Sequence, residues 1–300
     1  LPRTAPPPPG AGLTKLGDPK RALLGWVVFI AATALALALS WPYGVGAKVR
    51  LLHRGFVASG YLRAAEARAH AAPVQRDQAL AALRRATELA PDDPTITHTA
   101  AQLYMELRAY PEAAQWLGRR RPAAPPPAGG MTDPEELLTR VSLAQSLMMT
   151  GRKAEGEGLL DQVQAEVYAA RKSSLMPDPL FALALNNLAY VNALGKRNLP
   201  EALQMATGAV QLQPTQAAYV DSLGWVEYQL GHYLNAAFHL EQAVRLHAPE
   251  ESAEMYYHLG AAYARLGRKT DARWALNRSL ELDPSYSEAA DELRILSQEL

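Results

Sequence analysis

The chain contains no cysteine. That absence excludes disulfides, thiolate metal sites and cysteine nucleophiles. Net charge is missing too: 30 basic side chains stand against 30 acidic ones, so no overall field draws the chain to nucleic acid. No Gly-x-Gly-x-x-Gly or Walker loop occurs, and no Gly-x-Ser-x-Gly elbow. The seven histidines (His53, His70, His98, His232, His239, His247 and His258) include no pair at i, i+4, the spacing that a helical zinc face needs. Neither catalytic nor cofactor-binding nor metal-binding residues are therefore expected. Runs of β-branched residues are few, and alanine and leucine dominate. This composition favours helix throughout.

The charge that cancels overall is unevenly placed. Residues 1–60 carry Arg3, Lys15, Lys20, Arg21, Lys48, Arg50 and Arg54 against Asp18, a net +6, which leaves −6 on the rest. Within that basic part, "LLGWVVFIAATALALALSW" runs from Leu23 to Trp41 without a charge. As a helix it reaches about 28 Å, close to the ~30 Å of a hydrocarbon core. Lys20 and Arg21 precede it, Pro42 ends it, and Trp41 and Tyr43 stand where interfacial aromatics gather. The expectation is one transmembrane helix over 23–41, after a disordered proline-rich tail over 1–22. A buried soluble helix is one alternative. A cleaved signal peptide is another, with Ala36 and Ala38 at the small-residue spacing of a cleavage site. Lys20, Arg21, Lys48, Arg50 and Arg54 are placed to meet anionic lipid. Three basic residues flank each side, which leaves the positive-inside rule nothing to weigh. A signal-anchor arrangement would put the C-terminal body outside the cytoplasm.

The remaining residues repeat. Tyr256, Leu259, Gly260 and Tyr263 follow the spacing W-x2-L-G-x2-Y, with tyrosine in place of tryptophan, and Ala272, Leu276, Ser279 and Pro284 continue the frame. Val220, Leu223, Gly224, Ala236, Leu240, Ala243 and Pro249 fit it, with Glu227 where tyrosine is usual. Leu185, Leu188, Ala189, Ala202, Ala206, Ala209 and Pro214 fit it again. Weaker copies comprise Leu143, Ala144, Leu147, Leu160 and Val163; Ala101, Tyr104, Ala113 and Leu117; and Ala79, Leu83, Ala86 and Pro91. This pattern resembles the tetratricopeptide repeat (TPR), whose period is ~34 residues. A small residue after the leucine lets the two helices of a unit approach, the tyrosine fills the wedge between units, and proline ends the second helix. Each unit alone leaves an apolar face wet, so several must stack.

The expected fold is all-α, a TPR α-solenoid of stacked helical hairpins preceded by one transmembrane helix. Its divisions are a juxtamembrane linker helix at 42–59, in which Val49, Leu52, Phe56 and Val57 share a face, and degenerate units at 60–117. A proline- and arginine-rich loop follows at 118–136, then a degenerate unit with an extended second helix at 137–181. Three clear units at 182–286 and a capping helix at 287–300 complete the chain.

The resemblance implies a concave groove lined by first helices, and it carries partner-facing positions onto Asn186, Asn187, Tyr190, Asp221, Ser222, Trp225, Tyr228, Tyr257, His258 and Arg265. Asn187 and Arg265 are compatible with a carboxylate clamp, but the lysines that such a clamp uses have no counterpart. Tyr233, Tyr263 and Trp274 are read as packing residues. Two functions fit. One is a membrane-anchored scaffold that holds a protein or peptide partner in its groove to assemble a membrane or cell-envelope complex. The other is an accessory subunit of an integral-membrane enzyme or channel, packing through its small-residue-rich span.

Overall fold

The computed structural model describes residues 45–119 and 133–298. The tail at 1–22, the apolar segment at 23–41 and most of the loop at 118–136 lie outside the described residues. Among the described residues no helix is long and apolar enough to cross a membrane. The chain divides into two compact units, residues 1–56 and 57–300.

All regular structure in the described residues is helical. Thirteen helices follow one another there: α1 Val45–Ala69, α2 Arg76–Leu89, α3 Pro94–Glu106, α4 Tyr110–Arg119, α5 Pro134–Met149, α6 Lys153–Lys172, α7 Asp178–Leu194, α8 Leu199–Leu212, α9 Ala217–Gln229, α10 Tyr233–His247, α11 Ala253–Arg265, α12 Lys269–Leu282 and α13 Ser287–Gln298. In the second unit α3/α4, α5/α6, α7/α8, α9/α10 and α11/α12 pack as antiparallel hairpins, and each packs on the next. Helix α13 covers α11 and α12. Of the first unit, the described part is the start of α1, where Leu52 and Phe56 are exposed.

Local chemistry sets the helix ends. Asp93 Oδ1 accepts the Thr95 and Ile96 N–H groups at 3.0 and 3.1 Å, and Pro94 takes the first turn of α3. Asp133 and Pro134 open α5 in the same way. The Asp-Pro pair satisfies orphan N–H groups at a position where proline's missing donor costs nothing. The first helix of each hairpin ends in one recurring bond, from the N–H two residues past the C-cap back to a carbonyl five residues earlier. It joins Ala109 to Tyr104, Arg152 to Leu147, Arg197 to Asn192, His232 to Glu227, and Arg268 to Tyr263, all at 2.8–3.0 Å. The residue before each donor has positive φ: Arg108 (55°), Gly151 (86°), Lys196 (50°), Gly231 (81°) and Gly267 (72°). This is the Schellman ending, which glycine adopts without strain.

The repeat positions read from the sequence form the core. Leu83, Leu160, Leu188, Leu240 and Leu276 are fully buried, as are Ala79, Ala144, Ala202, Ala236 and Ala272. A Cβ at Gly224 would stand 2.7 Å from Leu240 Cγ, and one at Gly260 would stand 2.7 Å from Leu276 Cγ. Both distances are too short for non-bonded carbons, so the two helices of these hairpins touch because a side chain is missing between them. Tyr104 and Tyr263 are buried in the wedge. Glu227, in place of tyrosine, is also buried and is held by His239 Nδ1 at 2.6 Å. Trp274 departs from expectation. It stands on the outer side of α12, largely exposed, with its ring edge against Tyr256.

Candidate functional site

The first helices converge. Ala69 of α1, Met105 of α3, Ser142 and Gln145 of α5, Tyr190 of α7 and Glu254 of α11 line a single cavity of about 380 Å³. It is completed by the turns after α3 and α12, which bring Arg108 and Tyr286, and by Tyr110 at the start of α4. Second helices take little part in this lining, because the hairpin turns them to the outer side.

The two ends of the stack meet beside this cavity. The Val74 N–H donates to the Leu282 carbonyl at 2.8 Å. The Arg108 guanidinium donates to Asp283 at 3.2 Å and to Glu288 at 2.8 Å, and its central carbon lies 3.5 Å from the centroid of the Tyr286 ring. Ion pairs and a cation–π contact thus join the third helix to the last turn.

Tyr190 donates its hydroxyl to Glu254 across 64 residues of sequence. Burial pushes the Tyr110 hydroxyl up to about 12, and the nearby charge of Glu254 adds to this. Burial and then Glu254 also raise Tyr190 and Tyr286 well above the usual phenol range. All three are therefore neutral hydroxyls at ordinary pH.

The groove positions inferred from the repeat fall in three environments. Asn186, Asp221, Ser222, Trp225 and His258 are buried, at 7, 5, 4, 6 and 1% exposure. Asn187, Tyr190, Tyr228 and Tyr257 are half-buried, and Arg265 is exposed. The buried ones are held by each other. The Trp225 ring lies between Tyr228, at 4.7 Å and 4°, and His258, at 4.1 Å and 18°. His258 Nδ1 pairs with Asp221 at 2.9 Å. Burial alone would lower the His258 imidazole, but the Asp221 carboxylate, by charge and hydrogen bond, carries it above its ordinary value, and Glu254 adds to the rise. Arg265 Nε donates to the Tyr228 hydroxyl at 3.2 Å. Tyr257 then leads from Trp225 to Tyr286, so an aromatic seam runs from α9 to the Arg108 contact. An indole closed between two rings presents no face to a partner in this arrangement, and its Nε1–H has no acceptor, as Asn186 Oδ1 has no donor.

Sequence reasoning did not single out Arg108, Tyr110, Glu254 or Tyr286. One signal was available for Arg108. It occupies the turn position that Gly151, Gly231 and Gly267 occupy in other hairpins, and a long side chain there needs a reason. Among the described residues no three His, Asp or Glu side chains are grouped to hold a metal ion.

Comparison with known proteins agrees with the repeat reading. Residues 75–131 and residues 222–287 each match a family model described as tetratricopeptide repeat. Over 83 residues the chain is 35% identical to a TPR repeat-containing protein of Pseudomonas aeruginosa, a match that takes in 28% of this chain and 14% of that relative. The chain thus spans a small part of the length of the curated relative it matches. Among solved structures, PilW, described as a widely conserved type IV pilus biogenesis factor, is 14% identical with a TM-score of 0.46, covering 81% of this chain and 98% of its own. Yeast Tom70 is 14% identical with a TM-score of 0.44, covering 80% of this chain and 46% of its own. Repeats of the tetratricopeptide kind generally mediate contacts between proteins, and no catalytic family is indicated.

Proposed function

We propose that this chain is a non-catalytic scaffold. Its repeat part takes up a protein or peptide partner along the face made by the first helices, and the apolar segment at 23–41 tethers it to a membrane. The observation that carries the reading is the convergence of first-helix side chains from α3, α5, α7 and α11 on one cavity. Hydroxyl, amide and carboxylate groups bordered by aromatic rings suit a peptide, which offers both backbone polar groups and side chains.

Photo-crosslinkers placed at Asn187 and Arg265 on the inner side, and at Phe238 on the outer side, test it in intact cells. A discrete protein adduct from the inner positions, and none from Phe238, is expected. Phe238 is 61% exposed beside Leu234 at 75%, so an adduct from Phe238 alone would move the binding face to the second helices and end the proposal.

A further inference from the structure

The cavity is not neutral ground. Its walls carry three neutral tyrosines, Tyr110, Tyr190 and Tyr286, one cation, Arg108, and three carboxylates, of which Glu254 alone has no cation at ion-pair distance among the described residues. Glu254 stands in the first turn of α11, where a carboxylate is favoured. The cap itself, however, is made by Ser252, whose Oγ accepts the Met255 N–H. Glu254 instead accepts the Tyr190 hydroxyl. Other charged groups on the wall already have partners: Glu106 pairs with His70, and Asp283 with Arg108.

The same wall shows what such a surface accepts. Tyr286 already holds a guanidinium over its ring, that of Arg108. Electron-rich ring faces beside a carboxylate without an ion-pair partner attract ammonium and guanidinium groups and repel carboxylates. We propose that this cavity binds a cationic head group, ammonium or guanidinium, presented by the protein partner as a lysine or arginine side chain. The inference rests on the scaffold reading above and gives that partner a basic residue as its anchor. A free polyamine shares the head group, and the test separates the two sources.

Titration calorimetry on the full chain in detergent uses three probes: a capped Gly-Ser peptide with a central Lys-Lys, the same peptide with Glu-Glu, and spermidine. The lysine peptide is expected to bind at least about tenfold more tightly than the glutamate peptide. Glu254→Gln, which keeps an acceptor for Tyr190, should lower that affinity about tenfold. Glu250→Gln, at an exposed acid outside the cavity wall, should leave it unchanged. Circular dichroism verifies that each variant is folded. Equal binding of both peptides, or equal loss in Glu254→Gln and Glu250→Gln, overturns the proposal. Binding of spermidine with no binding of the lysine peptide overturns the assignment to a protein side chain. If Glu254→Gln still crosslinks its cellular partner at wild-type yield, the cation site falls and the scaffold reading stands. If the lysine peptide binds through Glu254 but no inner-face adduct forms in cells, the scaffold reading falls instead.

Discussion

The helices at 76–119 and the hairpins at 217–282 share one spacing and differ in what they place between first helices. The earlier region packs alkyl side chains, Leu80, Leu83, Leu103 and Leu117, around Tyr104. The later region packs the same alanines and leucines within each hairpin but sets Asp221, Trp225, His258 and Tyr257 along the line where first helices meet. Packing inside a hairpin is thus fixed by the repeat, whereas the seam between first helices is free to vary. The turns differ as well. Gly231 and Gly267 take the left-handed position without a side chain, while Arg108 takes it and reaches Asp283, Glu288 and Tyr286.

The largest effect is expected where the two regions are alike. Leu83 and Leu276 are both fully buried. Leu83→Ala and Leu276→Ala should each lower stability by about 2–5 kcal/mol through a core cavity, read by urea denaturation followed by circular dichroism. A cost at Leu83 far below that at Leu276 would show that the earlier hairpins do not share the later ones' packing.

The turns offer a sharper contrast. Arg108→Ala removes two charged hydrogen bonds and a cation–π contact but keeps the strained backbone, and should cost about 2 kcal/mol. Arg108→Gly loses the same contacts but recovers about 1 kcal/mol of left-handed strain, so it should cost roughly half as much. Gly231→Ala meets open space and should cost about 1 kcal/mol from φ alone. If Arg108→Gly proves as stable as the parent chain, the contacts to the last turn contribute nothing and the glycine turns are equivalent to it.

These contrasts mark how much was legible beforehand. The hairpins were, because Leu223, Gly224 and Leu240, or Leu259, Gly260 and Leu276, encode a close helix approach in local spacing. Glu227 stood out as a departure, and its partner His239 lies only 12 residues away. The inner surface was legible only by face. Repeat position places Trp225 toward the hollow, but it does not say that His258, 33 residues later, will cover the ring. Glu254 and Tyr190, or Arg108 and Tyr286, meet through the accumulated rotation of several hairpins. No local periodicity carries that geometry.

The smallest effect expected separates the seam from the alkyl region by pH. His258 has a folded-state proton affinity above its ordinary 6.5. The folded chain therefore holds this proton more tightly than the unfolded one. The resulting stability is fully present below pH 6.5 and is lost as pH rises through the folded value. In Asp221→Asn the burial that lowers the imidazole stays and its largest counterweight goes, so the loss of stability above pH 6.5 should disappear. Denaturation midpoints for the parent, Asp221→Asn and Leu83→Ala between about pH 6 and about pH 8.5 decide the matter. Leu83→Ala lowers every midpoint and leaves the slope intact, because an alkyl cavity in the earlier region touches no proton. If Asp221→Asn and Leu83→Ala keep the same slope, the Asp221–His258 pair is not what couples the later region to pH.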